Sequence, residues 1–222
     1  MLIHAIAEAV DPIRHALRTG WPESIGFDLL DSSLAPDLAA EGGTVTAAMV
    51  RRFCTLAEYA AGSGPNGKGA DAILFTCSAF GPAIEAARRK VTIPVLKPNE
   101  AAFEEALAAG PRIGLVVTFP PSLPPMLDEL QTMHRERGGS ALDVQTCVVP
   151  EAFAAMKAGN FDEHDRLLVG AVAAMPSLDV IVLGQFSMAR AAQAVRARAR
   201  SPVLTTPGSA VAKLRRLFAS DR

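Results

Sequence analysis

The sequence is poor in the residues that build covalent or metal-held frameworks. It contains three cysteines in 222 residues, Cys54, Cys77 and Cys147, and no CxxC pair. A disulfide framework or a zinc motif needs more cysteines at closer spacing. No two of the four histidines stand at metal-ligand spacing, and His134 and His164 fall in charged helical segments, so we expect no metal ion. Because free thiols are typical of a reducing compartment, we expect a cytoplasmic protein.

Long hydrophobic runs and blocks of one charge are also missing. No apolar run approaches the ~20 residues of a membrane helix. The first residues, MLIHAIAEAVDP, have no basic segment ahead of the apolar ones, which argues against a signal peptide. The net charge is −1, with acids and bases interleaved. We therefore expect neither a membrane nor a nucleic acid as a partner.

Short apolar segments alternate with Ala-rich segments of helical period. The strand candidates are LIHAIA, IGFDLLD, AILFTC, IPVLK, RIGLVVTF, LDVQTCVV, DVIVLGQ and SPVLTT. The helix candidates include TVTAAMVRRFCTLAEYAA, GPAIEAARRK, NEAAFEEALAA, LPPMLDELQTMHRE and EHDRLLVGAVAAM. Continuous apolar strands separated by helices are typical of a parallel sheet covered on both faces. The sequence predicts an α/β fold.

The two halves of the chain resemble each other. Residues 71–107 align without a gap on residues 179–215, so that Asp71 matches Asp179 and Cys77 matches Gln185. A chance match between Ala-rich units is the alternative to a true repeat. We interpret the match as two pseudo-symmetric, Rossmann-like βα domains with the active site in the cleft between them. The final helix should cross back onto the first half, which predicts domains of residues 1–97 plus 206–222 and of residues 98–205.

Cys77 lies at the carboxyl end of a predicted strand, where parallel sheets bind ligands. A helix follows it, and the helix dipole and free N–H groups there should lower the pKa of the thiol. Those N–H groups, with the hydroxyls of Thr76 and Ser78, could hold a carboxylate or an oxyanion. The alternative is that Cys77 is a small buried hydrophobe. Glu8, at the end of the first strand, is either a second base or a solvated loop acid.

Two further ionisable residues, one inside a predicted strand and one at a strand end, have less specific interpretations. His4 lies inside the first predicted strand, where we expect a structural histidine with its ring nitrogens satisfied. Lys97, in VLKPNE, either neutralises a substrate carboxylate or lies at the surface.

The segments at the strand ends resemble a known family. FTCSAFGPA in the first half and VIVLGQFSMA in the second, together with IPVLKPNEA and GLVVTFPP, resemble the aspartate/glutamate racemase superfamily. This group includes glutamate, hydantoin and allantoin racemases, maleate isomerases and arylmalonate decarboxylases. The resemblance implies proton transfer at the carbon α to a carboxylate by two cysteines, without a cofactor. It places the first cysteine at Cys77, a carboxylate-binding hydroxyl at Ser78 and a substrate-contacting threonine at Thr118.

The sequence departs from this pattern at the second cysteine, whose place is taken by Gln185. A carboxamide only donates or accepts hydrogen bonds. Ser187 lies nearby, but a hydroxyl without an activating neighbour is a weak acid or base. We therefore predict single-thiol proton transfer on a small carboxylate-bearing substrate, of racemase or isomerase type. The other residues that we expect to bind substrate are Glu8, Thr76, Ala79, Phe119, Phe186 and Ser187.

Three alternatives stay open from the sequence. One is decarboxylation of the arylmalonate type by one cysteine, although Phe119 lacks the hydroxyl of the tyrosine that those enzymes carry. The second is thiol addition to an alkene, as in maleate isomerases. The third is a non-catalytic protein that binds small acids. Because dimers are common among the proteins that the chain resembles, a homodimer is one expected assembly.

Overall fold

The computed structural model describes residues 1–139 and 141–219, except for the side chain of Asn66. The chain divides into two compact units, which we call unit 1 (Met1–Pro98) and unit 2 (Asn99–Arg222). Each unit contains one four-stranded sheet. Within the described residues, no helix has the length and apolar character needed to cross a membrane.

Unit 1 has four strands in the order β2-β1-β3-β4, all parallel. Its elements are β1 (Leu2–His4), α1 (Val10–Gly20), β2 (Asp28–Leu30), α2 (Leu34–Ala40), α3 (Ala47–Gly62), β3 (Ile73–Phe75), α4 (Gly81–Arg88) and β4 (Val95–Leu96). Every residue of the central strands β1 and β3 is buried, as expected for a sheet with helices on both faces. The ring of Phe53 on α3 lies 5.2 Å from that of Phe75 and 4.8 Å from that of Phe80. This aromatic cluster holds β3 and the turn that follows it against α3.

Unit 2 repeats the same strand order, β6-β5-β7-β8, and is also parallel. Its elements are α5 (Glu100–Ala109), β5 (Arg112–Val117), α6 (Leu123–Glu136), β6 (Asp143–Val148), α7 (Pro150–Lys157), α8 (Phe161–Ala174), β7 (Val180–Leu183), α9 (Ala192–Arg196), β8 (Val203–Thr205) and α10 (Thr206–Ala219). The central strands β5 and β7 are buried except for Arg112, whereas the edge strand β6 is partly exposed. The identical strand order of the two sheets supports the internal repeat, and the predicted α/β fold with parallel sheets is confirmed.

The C-terminal helix differs from our expectation of the domain boundaries. Within unit 2, α10 packs against α5, and the ammonium of Lys213 lies 3.1 Å from Glu100 Oε1 and 2.6 Å from Glu104 Oε1. The hydroxyl of Ser209 also donates to Glu105 Oε2 at 3.0 Å. These contacts place the described part of the helix with residues 99–205, whereas we expected 206–222 in the first domain. Residues 220–222 lie outside the described part of the chain.

Candidate functional site

The two central strands of each sheet run into short 3₁₀ turns at their carboxyl ends. In unit 1 the turns Ala7–Ala9 and Ser78–Phe80 follow β1 and β3, and in unit 2 the turns Pro120–Ser122 and Phe186–Ala191 follow β5 and β7. Because the central strands of one sheet are parallel neighbours, both turns of a unit lie at the same sheet edge. Apart from Lys97, which follows β4, the candidate substrate-binding and catalytic residues lie in these turns or within two residues before them.

Cys77 lies between β3 and its turn, in extended conformation (φ −116°, ψ 118°) and partly exposed. Burial raises the pKa of its thiol to about 11, and the backbone N–H of Ala79, which donates to the sulfur, offsets only part of this rise. The expectation of a lowered pKa is therefore wrong, because the loss of hydration outweighs the one N–H donor. The α-helix also begins only at Gly81, after the 3₁₀ turn. At neutral pH, Cys77 is a protonated thiol.

Thr76, next to the thiol, contacts the interior of unit 1. Its Oγ1 lies 2.9 Å from Nδ1 of His4, whose Nε2 lies 2.9 Å from Asp28 Oδ1. Burial lowers the pKa of His4, so the ring is neutral and donates its Nε2–H to Asp28. Nδ1 therefore accepts the hydroxyl proton of Thr76, while Arg14 Nε donates to Asp28 Oδ2 at 2.6 Å. The structural role predicted for His4 is confirmed, and the Thr76 hydroxyl is committed to it rather than open to a substrate.

The other candidates of unit 1 differ in exposure. Ser78 and Glu8 are partly exposed in the turns after β3 and β1, whereas Ala79 is buried. Lys97 forms an ion pair with Glu85, its Nζ 2.8 Å from Oε1. Ser78 and Glu8 are thus two partly exposed polar candidates at this edge of the sheet.

In unit 2, the carboxamide of Gln185 is held by the end of the neighbouring strand. Its Oε1 accepts from the N–H of Thr118 at 2.6 Å, from the hydroxyl of Thr118 at 2.7 Å and from the N–H of Phe119 at 3.2 Å. Backbone N–H groups only donate, so the oxygen of the amide, and not its nitrogen, must face them. Both donors of Thr118, which we expected to contact substrate, are therefore bound to Gln185.

The residues around Gln185 make a tightly packed strand end. Phe186 and Ser187 are buried, and the partly exposed ring of Phe119 lies 5.3 Å from that of Phe153. A Cβ at Gly184 would lie 2.4 Å from Met126 Cε and 3.1 Å from the carbonyl oxygen of Val116. The backbone N–H of Gly184 donates to the carbonyl oxygen of Val116 at 2.9 Å, which joins the end of β7 to β5 directly before Gln185.

A polar cluster around the buried side chain of His164 supports the turn after β7, and it was not among the sequence predictions. His164 on α8 is fully buried, with Nδ1 2.7 Å from Asp165 Oδ1, and Arg190 Nε of the turn donates to the same carboxylate at 3.0 Å. The sequence indicated a charged helical segment for His164, but its side chain is buried because α8 packs against the turn. The signal was present in the sequence, since His164, Leu168 and Val172 follow one another at intervals of four on one helix face. Among residues 1–139 and 141–219, no cluster of His, Cys, Asp and Glu could hold a metal ion.

Solved structures of three racemases resemble the chain. Glutamate racemase isoform RacE1 from Bacillus anthracis is 11% identical, with a TM-score of 0.73 over 99% of this chain and 81% of that chain. Aspartate racemase from Picrophilus torridus is 12% identical, with a TM-score of 0.64 over 96% of this chain and 91% of that chain. Allantoin racemase from Pseudomonas fluorescens is 16% identical, with a TM-score of 0.61 over 99% of this chain and 90% of that chain. At these identities the likeness shows the fold.

No curated protein matches the chain. The model described as Asp/Glu/hydantoin racemase matches residues 7–215, which is nearly the whole sequence. The chain therefore belongs to the Asp/Glu/hydantoin racemase family.

Proposed function

We propose that the chain is a cofactor-independent enzyme that transfers a proton at the carbon α to a carboxylate of a small acid, with Cys77 as its single thiol acid/base. The observation that carries the proposal is the position of Cys77, a partly exposed residue at the carboxyl end of a central strand. The resemblance to the racemase superfamily places the first of its two cysteines at this position. Membership of the racemase family supports the reaction type. The second position holds Gln185, which cannot exchange a proton near neutral pH.

The raised pKa of Cys77 determines whether the thiol is better suited to remove the Cα proton or to protonate the carbanion. With a pKa of about 11, roughly one thiol in 10⁴ is ionised at pH 7. Such a thiol gives a proton to a carbanion more readily than it removes one from carbon. In the racemase-like reaction a base takes the Cα proton, the electron pair stays on the substrate as an enediolate, and Cys77 S–H protonates the carbon. The base then releases its proton to water and the Cys77 thiolate regains one from water, which restores both groups. Glu8, in the turn beside that of Cys77 in unit 1, is the candidate base, and Ser78 is the candidate ligand of the carboxylate.

The same protonated thiol favours one second candidate, decarboxylation of a malonate-type acid. There the C–C bond to the carboxylate breaks, CO₂ leaves, and the electron pair remains on the carbon. Cys77 then donates its proton to that carbon and regains one from water. This reaction needs a single donor and no base, which fits a site with one thiol.

Isotope exchange tests the proposal directly. The protein is incubated in D₂O with amino acids, hydantoins and substituted malonates, and deuterium at Cα is followed by mass spectrometry. We expect incorporation with the wild type and with the control Cys54→Ser, and none with Cys77→Ser. Exchange that proceeds unchanged in Cys77→Ser would refute the assignment, and ligand binding without any exchange would indicate a binding protein. Release of CO₂ from malonates that depends on Cys77 would support the second candidate.

A gain-of-function variant tests the role of the missing thiol. Gln185→Cys restores the two-cysteine pattern that the resemblance implies for racemases. We expect it to invert the configuration of a compound that the wild type only exchanges. Chiral chromatography of the recovered substrate measures inversion, and Gln185→Ser is the matched control without a thiol. No inversion by Gln185→Cys on any compound of the panel would contradict a racemase-like substrate.

A further inference from the structure

We infer that Gln185 is a fixed hydrogen-bond donor for an acyl oxygen of the substrate, oriented by Thr118 and Phe119, which act as positioning residues. The substrate class that follows is acids, amides or imides that present a carbonyl or carboxylate oxygen to unit 2, and not an ammonium group. The inference deepens the proposed function and rests on it for the identity of the site.

The orientation of the amide follows from the donors that meet its oxygen. Two backbone N–H groups and one hydroxyl converge on Oε1, at 2.6 to 3.2 Å. All three come from residues 118 and 119, where β5 ends, and Thr118 is fully buried. Turning the amide over would bring its NH₂ against two N–H groups that cannot accept, at a cost of more than one hydrogen bond. Gln185 is therefore held in one orientation.

That orientation determines which hydrogen-bonding groups the NH₂ end of the carboxamide presents. Nε2 lies about 120° around the carboxamide carbon from Oε1, so its two N–H groups point away from the Thr118 donors. Gln185 is partly exposed, and none of the described residues places an acceptor at hydrogen-bond distance from Nε2. The side chain thus presents two unused donors and no free acceptor. A ligand group at this position must accept hydrogen bonds.

The chemistry of the proposed reaction makes such a donor useful. Negative charge grows on the acyl oxygens as the carbanion forms, and a donor that is already oriented stabilises this charge without reorganising. Loss of one preorganised donor of this kind lowers kcat by about 10²–10³-fold. An ammonium group would instead meet N–H groups of like polarity. Gln185 therefore favours malonate-like or hydantoin-like compounds over compounds that would place an ammonium group there.

Four variants distinguish the contribution of the Gln185 amide, the hydrogen-bond donor, from that of Thr118, which orients it. Gln185→Met has similar size and no donor, and Gln185→Glu keeps an oxygen for the Thr118 donors but replaces the NH₂ by a second oxygen. Thr118→Val removes the hydroxyl donor only, and Thr118→Ser retains it. If Thr118 acts through Gln185, the valine variant weakens ligand binding several-fold and the serine variant restores it. A purely structural role would lower stability in both cases without this pattern.

Binding of malonate and of hydantoin, followed by ¹⁵N–¹H NMR of the Gln185 side-chain amide, tests the inference. The resonance is assigned by its loss in Gln185→Met. We expect both compounds to shift it, and their affinity to fall at least tenfold in Gln185→Met and further for malonate in Gln185→Glu. The inference is overturned if neither compound moves the resonance, or if both bind Gln185→Met as tightly as the wild type.

The same titration in Cys77→Ser separates this inference from the proposed function. That variant lacks the proposed proton donor but keeps Gln185, so we expect the amide shift to persist while exchange is lost. If the amide shift persists and exchange is undiminished, Cys77 is not the proton donor, while the role of Gln185 as a hydrogen-bond donor to the substrate still stands. Loss of exchange in Cys77→Ser, together with a Gln185 amide that neither compound shifts, would overturn the inference and leave the thiol assignment standing.

Discussion

The reactivity of Cys77 toward an alkylating agent should show the pH dependence of a strongly protonated thiol. The test uses the variant Cys54→Ser/Cys147→Ser, in which Cys77 is the remaining cysteine. Only the thiolate reacts with iodoacetamide, so the rate constant follows the ionised fraction. Burial raises the pKa of Cys77 to about 11, from an ordinary value of 9.0.

The size of the effect follows from these two values. At pH 7.5 the ionised fraction of Cys77 is about a hundredfold lower than that of a thiol with the ordinary pKa. Because a more basic thiolate is also more nucleophilic, by about tenfold for this difference, the net rate at pH 7.5 is roughly tenfold below that of a free thiol. The shape of the profile does not depend on this correction. The rate constant should rise about tenfold per pH unit from pH 7 to 10 and level off only near pH 11.

Mass spectrometry of the adduct gives the second-order rate constant at each pH, and N-acetylcysteine in the same buffers is the reference thiol. Circular dichroism at each pH identifies the range in which the protein stays folded. A plateau at or below pH 9 in the folded range would show that the Ala79 N–H and the turn lower the pKa of Cys77 by at least as much as burial raises it. In that case the thiolate would be available as a base, and the assignment of Cys77 as a proton donor would be wrong.

Three further predictions concern stability. The folded thiol of Cys77 keeps its proton between pH 9 and 11 while the unfolded thiol loses it, so the wild type should lose up to about 3 kcal/mol of unfolding free energy relative to Cys77→Ala over that range, measured by urea unfolding. A pH-independent difference would contradict this. Burial lowers the pKa of His4, so the unfolded state binds the proton first as the pH falls below about 6.5. Urea unfolding at pH 7.5 and 5.5 should show a larger loss for the wild type than for His4→Gln, and equal losses would argue against the buried neutral ring. Phe53→Ala should cost about 3–5 kcal/mol of unfolding free energy in urea, whereas Tyr59→Ala on the same helix, 62% exposed, should cost less than about 1 kcal/mol. Equal costs would contradict the central position of Phe53.

Much of the fold could be predicted from the sequence because its signals are local. All eight strand candidates contain a strand, and LPPMLDELQTMHRE coincides with α6. Helices α1, α2 and α7 were not among the candidates. In α1 only Ile13 and Leu17 are buried, four residues apart on one face, so its helical signal depends on two apolar positions. The position of the last helix was not predictable either, because it depends on ion pairs between Lys213 and a helix about 110 residues earlier.

In the candidate site, too, some features could be predicted from local sequence and others depend on contacts between residues distant in the chain. The place of Cys77 at a strand end, and of Gln185 at the equivalent strand end of the repeat, could be read from the sequence. The roles of their neighbours could not. The Thr76 hydroxyl is bound to His4, 72 residues away in the chain, and the donors of Thr118 are bound to Gln185, 67 residues away. A hydroxyl at a strand end is a candidate ligand until the partner that it meets in the folded chain is known.

The sequence by itself determined which segments form buried parallel strands, since a continuous apolar run needs cover on both faces wherever it lies in the chain. It also determined that a thiol follows the third strand and that an amide follows the seventh. Only the tertiary structure decided that the thiol is protonated and that the amide presents its NH₂ group. Both properties depend on atoms distant in sequence, because burial of the sulfur sets its pKa and three donors from another strand orient the carboxamide.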